Sequence, residues 1–98
     1  MESPPDQVRP KFELGALVST PGALELLQAA GKQPLDYIIR HLTGDWGDLD
    51  EHDRLVNERA LLHGGRLLSS YIVAADQRIW VISEHDRSAT TILLPQEY

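Results

Sequence analysis

Three apolar segments that follow one another between residues 66 and 94 place the strongest constraint on the fold of this chain. The segments are residues 67–74, 79–83 and 89–94, and each has the length of a β-strand. Asp76 and Gln77 separate the first two, and the polar residues 85–88 separate the last two. Apolar runs of this length with short polar breaks are typical of hairpins, so the sequence predicts an antiparallel meander.

A short strand and two helices are predicted upstream of the meander. Residues 12–18 alternate between apolar and polar types, and this strand could pair with an edge of the meander. Thr20 and Pro21 predict a helix start, because the hydroxyl accepts from a free amide and proline fits the first turn. Gly31 predicts the end of that helix. A second helix is predicted over residues 34–42, with an apolar stripe of Leu35, Ile38, Ile39 and Leu42.

A third helix is predicted over residues 49–63, where Asp48 is available as its cap. At about 100° per residue, one broad face of this helix collects Leu49, Leu55, Val56, Ala60 and Leu62. His52, Arg59 and His63 fall inside the same arc. An arginine within an apolar face needs a partner for its charge, although its stem can pack while its head reaches a carboxylate.

The predicted fold class is α+β, in the order β-α-α-α-β-β-β, with a three- to four-stranded antiparallel meander packed on helices. Residues 1–10 contain three prolines and predict a flexible tail, and residues 11–98 predict a single domain. Both faces of the meander are fairly apolar. One face should carry the helices, and the other is either a partner surface or partly covered by the tail.

The composition excludes several classes of protein. The chain has no cysteine, which excludes disulfides and thiolate metal sites and is consistent with a reducing cytoplasm. A net charge of −6 disfavours nucleic acid as a partner and allows a protein with a basic surface. The N-terminus lacks the basic start and apolar centre of a signal peptide, and no apolar run is long enough to span a bilayer. The sequence therefore predicts a cytoplasmic protein without a membrane association.

No constellation in the sequence predicts a reaction, a metal or a cofactor. The acidic cluster at residues 45–53 fails the calcium-loop template, because the twelfth position from Asp45 is Val56. His52 and His63 lie eleven residues apart, roughly 16 Å along a helix, which is too far for one zinc ion. No serine lies in a nucleophile elbow, and no glycine-rich phosphate loop is present.

Two loops carry the remaining candidate side chains. Trp46 follows Asp45 between two glycines, and it either plugs one end of the core or stands as an exposed anchor, with plugging favoured. Asp86 can close its turn, while Arg87 either contacts a partner or pairs with a neighbouring carboxylate. No residue is predicted to be catalytic or to bind a metal, and the candidate binding residues are Asp45, Trp46, Asp48, Arg59, Asp86 and Arg87.

Five segments together resemble a family of small bacterial proteins of unknown function, often labelled "plasmid-related protein" and sometimes "type I restriction endonuclease subunit M". They are TPGAL at residues 20–24, GDWGDL at 44–49, GRLLSSY at 65–71, IWVI at 79–82 and DRSATTILLP at 86–95. The resemblance covers residues 12–98. It implies a plasmid, phage or integrative-element context and supplies no catalytic residues. The chain is too short for a methyltransferase domain and has no cofactor motif, so the restriction label is not supported.

Three functions are compatible with these observations. The first is a non-enzymatic protein-interaction module of a mobile genetic element, binding a protein partner or a second copy of itself. The second is an anti-defence protein that inhibits a restriction or CRISPR nuclease by presenting acids, among them Asp45, Asp48 and Asp50, in place of DNA phosphates. The third is a small hydrolase or nuclease that uses Asp48, His52 and Arg59.

Overall fold

The computed structural model of the protein describes residues 9–98, so the predicted tail at residues 1–10 lies almost wholly outside the described residues. The predicted α+β order is confirmed, and the predicted bounds of the second helix and of the first meander strand coincide with those observed. The elements are β1 (Ala16–Ser19), α1 (Pro21–Ala29), α2 (Pro34–Leu42), α3 (Glu51–His63), β2 (Leu67–Ala74), β3 (Gln77–Ser83), β4 (Ala89–Leu93) and a 3₁₀ turn (Pro95–Glu97).

The strands form one four-stranded sheet in the order β1-β4-β3-β2. β2 pairs with β3 and β3 with β4, both antiparallel, which confirms the predicted meander. β1 joins the free edge of β4 in parallel, with Leu17 opposite Thr90, and the sheet is therefore mixed. Parallel pairing requires a long connection between the strands, and the three helices together with β2 and β3 provide it.

Side-chain caps fix where two of the helices begin. The Thr20 hydroxyl accepts from the amide of Ala23 at 3.1 Å, as the sequence predicts for α1. α3 starts at Glu51, because the carboxylate of Asp50 accepts from the amide of Asp53 at 2.8 Å. The prediction that Asp48 caps this helix is wrong, since both the backbone and the side chain of Asp48 bond to the β2–β3 hairpin instead.

All three helices pack on one face of the sheet. The main core cluster joins residues of α1 and α2 to this face, and it consists of Ala23, Leu27, Tyr37, Ile38, Tyr71, Val73, Ile79, Val81 and Ile92. A smaller cluster beside it joins Trp46, Ala60 and Leu67, with Phe12 packed against them. On the opposite face, the ring of Tyr98 packs edge-on against Trp80, with 5.7 Å between ring centroids, so the C-terminal residues cover part of that face.

The predicted inward face of α2 is correct for Ile38, which is 3% exposed, and wrong for Leu35 and Ile39, while the predicted inward face of α3 is wrong for three of its five residues. In α2, Leu35 and Ile39 are exposed, whereas Tyr37 and His41 are buried because they reach aromatic and hydroxyl partners on the sheet. At α3, Leu55, Val56 and Leu62 of the predicted face point away from the sheet, whereas Ala60 is buried and Leu49, just before the helix, packs against the cluster of Trp46, Ala60 and Leu67. Asn57 determines which side of α3 faces the sheet, because its side-chain amide donates to the backbone carbonyl of Leu68 at 2.7 Å and accepts from the backbone N–H of Leu68 at 3.1 Å. Within residues 9–98, no helix is long and apolar enough to cross a membrane.

Candidate functional site

The loop between α2 and α3 lies along the outer edge of β2 and brings three candidate residues together. The amide of Asp48 donates to the carbonyl of Ser70 at 2.6 Å, and the amide of Ser70 donates to the carbonyl of Trp46 at 3.1 Å. Gly47 lies between them at φ +76°, where a Cβ would overlap the carbonyl oxygen of Ser70. The loop therefore closes this edge of the sheet and requires glycine at its closest approach.

A polar cleft of about 380 Å³ opens beside this loop. Its lining contains two of the six candidate residues, Asp45 and Asp48, and is completed by Arg40, Gly47, Ser70, Tyr71 and Ile72. The hydroxyl of Tyr71 donates to the carbonyl of Asp45 at 2.6 Å, and burial raises the pKa of this tyrosine. The tyrosine is thus a neutral hydrogen-bond donor that fixes the loop.

Both carboxylates of the cleft are paired with arginines. Arg40 donates to Asp45 at 2.7 Å, which lowers the pKa of that carboxyl, and the guanidinium also lies 4.5 Å from the centre of the Tyr71 ring. Arg78 lies 3.1 Å from Asp48 and donates to the Ser70 hydroxyl at 2.9 Å. Each pair is exposed and adds little to stability, but together they balance the charge of the cleft.

Trp46 plugs the core, as the sequence favours. Its side chain is 3% exposed, and its indole N–H donates to the carboxylate of Glu58 on α3 at 2.9 Å. The ring packs edge-on against His41, with 5.7 Å between ring centroids. A buried indole with a satisfied N–H holds the loop to α3, and its ring leaves no open surface on which a partner could stack.

His41 is the centre of a buried polar network that sequence reasoning missed. Its Nδ1 lies 2.6 Å from the Ser69 hydroxyl and its Nε2 lies 3.0 Å from the Ser83 hydroxyl. Ser83 in turn lies 2.6 Å from the hydroxyl of Thr90, which donates to the carbonyl of Leu14 at 2.8 Å. The sequence carries a signal for it in the alternation of strand residues, which places Ser69 on the same face as Leu67 and Tyr71.

His41 is neutral at the centre of this network, because it is buried. Burial, with a smaller effect from the nearby charge of Arg87, lowers the pKa of His41 to about 3. A histidine beside a serine is an arrangement used for nucleophilic catalysis. Here His41, Ser69 and Ser83 are each completely buried, so no substrate reaches them and the network ties α2 to the sheet.

Arg87 fastens the β3–β4 turn to the end of α3. Its guanidinium donates to three backbone carbonyls, those of Gly65 at 2.6 Å, Glu84 at 2.9 Å and Ala60 at 3.1 Å. The group also lies 5.7 Å from the centre of the Phe12 ring, and Arg87 itself adopts a φ of +60°. Two charge-assisted bonds to carbonyls at and just after the end of α3, and a third within its own turn, make this side chain a structural clamp.

Asp86 closes the same turn. Its carboxylate accepts from the amide of Ser88 at 3.0 Å, and hydrogen bonds from Ser88 lower the pKa of Asp86. The predicted turn-closing role of Asp86 is confirmed, and Arg87 bonds to backbone carbonyls rather than to a neighbouring carboxylate.

Arg59 lies on the side of α3 that faces solvent. Leu55 is 52% exposed, Val56 46% and Leu62 80%, and all three surround the exposed Arg59. These four residues form what is called here the outer face of α3. In the part of the chain that the structure describes, no carboxylate forms an ion pair with Arg59. Leu55, Val56 and Leu62 of the apolar stripe that the sequence predicts therefore point outward.

The structure does not assemble the residues of a hydrolase around Asp48. Neither His52 nor Arg59 lines the cleft that contains Asp48. Among residues 9–98, no three His, Asp or Glu side chains are grouped so that they could hold a metal ion.

Comparison with known proteins adds no further constraint. No protein-family model, curated protein or solved structure matches this chain. The resemblance to the plasmid-related family therefore remains an expectation from sequence motifs.

Proposed function

We propose that this chain is a non-enzymatic protein-interaction module that docks a protein partner through the outer face of α3. The observation that carries the proposal is the exposure of Leu55, Val56 and Leu62 together on one helix face. Clustered exposed apolar side chains on a small domain are typical of a contact surface, whereas isolated ones need no explanation.

The geometry of α3 suits a docking surface. Leu55, Arg59 and Leu62 follow one another at spacings of four and three residues, so they form one stripe roughly 10 Å long, with Val56 beside it. The other side of the helix is fixed to the domain by Asn57, which bonds to β2, and by Arg87, which bonds to the carbonyl of Ala60. A partner would therefore meet a surface whose backbone is already ordered, which lowers the entropic cost of binding.

The chemistry of the face specifies the chemistry of the partner. Arg59 lies within the apolar stripe and has no carboxylate partner among the described residues. Arginine combines an apolar stem with a planar donor group, and it is enriched at binding hot spots. The partner we propose is a protein whose apolar segment, such as an amphipathic helix, carries a carboxylate opposite Arg59.

The other functions have less support. A DNA mimic needs free carboxylates, but Asp45 and Asp48 are paired with arginines and Asp50 caps α3. A hydrolase needs Asp48 to share a cleft with His52 and Arg59, and neither residue lines that cleft. A cytoplasmic location and a mobile-element context remain part of the proposal. The first agrees with the absence of cysteine, and the second comes from the resemblance alone.

The proposal is tested by affinity capture from a bacterial host lysate with four forms of the full chain. These are the wild type, Leu62→Glu, Arg59→Glu and the control Ile72→Glu, which changes an exposed apolar residue on β2. Circular dichroism checks that each variant folds. We expect a protein that is retained by the wild type and the control and lost from both α3 variants. If no protein is retained by the wild type, or if all four forms retain the same set, the proposal is wrong.

A further inference from the structure

The two edges of the sheet differ in how they are protected. The outer edge of β2 is closed by the loop at residues 46–48. β1 forms the other edge, and no further element among residues 9–98 pairs with it. Its central residues Leu17 and Val18 are 54% and 49% exposed. A strand edge left unpaired is a template for another strand.

The hydrogen bonds to β4 show which backbone groups of β1 face outward. The amide of Ala16 donates to the carbonyl of Ser88, and the amide of Thr20 donates to that of Ile92, both at 3.0 Å. Residues at even positions therefore turn their backbone groups toward β4. Because successive residues of a strand alternate, the N–H and C=O groups of Leu17 and Ser19 point to the free edge.

An apolar groove of about 320 Å³ lies beside this edge. Leu17 and Ser19 form one wall, and Pro34, Leu35 and Ile38 of α2 form the other. Leu35 is 57% exposed at the rim. A strand added to β1 would therefore place every second side chain into this groove, which is how strand addition gains specificity.

The charge distribution favours a second copy of this chain as the added strand. The chain carries a net charge of −6, so most approaches between two copies are opposed by repulsion. Residues 14–24, which include all of β1, contain no charged side chain. The edge also lacks the lysine and proline residues that keep other edge strands apart. Two copies can meet here without opposing charges.

We propose that the β1 strands of two copies pair antiparallel about a two-fold axis, so that one sheet runs through both molecules. The outward backbone groups fix the register: Leu17 and Ser19 of one copy exchange hydrogen bonds with Ser19 and Leu17 of the other. Val18 then lies directly opposite Val18 of the second copy. Leu17 of each copy enters the groove of the other, which makes the contact self-complementary.

The contact is small, and this sets the concentration range of the test. The exposed apolar side chains around the edge offer on the order of a few hundred Å² per copy, less than the roughly 800 Å² per partner of a standard interface. Interfaces of this size are typical of weak, reversible contacts, so the dimer is expected only at high protein concentration. Sedimentation velocity between about 1 µM and 1 mM covers this range.

The experiment exploits the pairing of Val18 with itself. Val18→Glu and Val18→Lys are each studied alone and then mixed. Each variant alone places two like charges directly opposite, which we expect to raise the dimer Kd at least about tenfold. The mixture places Glu against Lys in the same register and restores the dimer. Ile72→Lys, on the far side of the sheet, is the control and dimerises as the wild type does.

The following outcomes would overturn the proposal. A wild type that stays monomeric at about 1 mM shows that a second copy is not the occupant of this edge. A dimer that survives Val18→Glu, or one that is lost in Leu62→Glu and kept in Val18→Glu, places the contact elsewhere. Failure of the mixed variants to associate excludes the proposed register.

Discussion

Acid should destabilise this protein through His41, and the size of the effect follows from its surroundings. Burial and the charge of Arg87 lower the pKa of His41 from its ordinary value of 6.5 to about 3. In the unfolded chain the imidazole takes up a proton below pH 6.5, whereas in the folded chain it stays neutral until about pH 3. The stability that depends on neutral His41 is thus fully present above pH 6.5 and is lost as the pH falls toward 3.

Between pH 7 and pH 5 this difference amounts to about 2 kcal/mol of unfolding free energy, at about 1.4 kcal/mol per pH unit once the unfolded histidine is protonated. In the range from pH 7 to pH 5, the loss of stability comes from His41 and not from the carboxyl groups. Asp45 and Glu97 also have lowered pKa values, but the stability they contribute is lost only below their ordinary values of 3.8 and 4.5.

Urea unfolding at pH 7, 6 and 5 measures this slope directly. We expect the wild type and His52→Gln, which changes an exposed histidine, to lose about 2 kcal/mol over the range. His41→Gln removes the titrating group and should be less stable at pH 7 but nearly independent of pH. An equal slope in His41→Gln and the wild type would refute the assignment of this acid sensitivity to the buried network.

Two further predictions concern the backbone contacts that hold the loops. Gly47→Ala should lower the unfolding free energy by about 2–4 kcal/mol, because the added Cβ would overlap the carbonyl oxygen of Ser70. The control Gly31→Ala has a similar φ but open space around the added Cβ, and it should lower the unfolding free energy by only about 1–2 kcal/mol. Equal losses in urea unfolding would contradict the close approach at Gly47. Arg87→Met should cost about 2–4 kcal/mol, because it removes three hydrogen bonds from a charged donor to partly buried carbonyls. The exposed control Arg59→Met should change stability by less than about 0.5 kcal/mol. Comparable thermal shifts for the two arginine variants would show that Arg87 is not a clamp.

The elements of this fold could be predicted from local sequence because their signals are local. Strand-length apolar runs, the Thr20 cap and the proline at residue 34 each act within a few residues, and the corresponding elements are observed. The parallel pairing of β1 could not be predicted. It depends on which edge of the meander remains free after the loop at residues 46–48 has closed the other, and that is a tertiary outcome.

The helix faces show where sequence patterns fail. The apolar stripe on α3 is genuine, but Asn57 decides which side of the helix is buried, because its amide matches the free backbone groups of Leu68. Similarly, His41 is buried because hydroxyls on β2 and β3 satisfy both of its ring nitrogens. In each case polar partners on the sheet help to decide which residues of the helix are buried, and such partners are not visible in periodicity.

For the candidate residues, roles that depend on neighbouring residues could be predicted from the sequence, whereas roles that depend on distant segments could not. Asp86 closes its turn as predicted, and Trp46 fills the core. The residue type of Arg87 predicts a contact with a partner. Its guanidinium instead donates to the carbonyls of Gly65 and Ala60, which only the tertiary fold brings close to the turn. Arg59 alone among the six candidates lies in an exposed apolar surface without an ion pair among the described residues.

Site-specific photo-crosslinking in a bacterial host lysate can show whether the outer face of α3 contacts a partner. A photoreactive phenylalanine analogue replaces Leu62 in one sample and Ile72 in another, and each is also prepared with Arg59→Glu. We expect a discrete crosslinked protein from position 62, its loss in the Arg59→Glu background, and no such product from position 72. Crosslinks of equal yield from both positions, or none from position 62, would contradict this expectation.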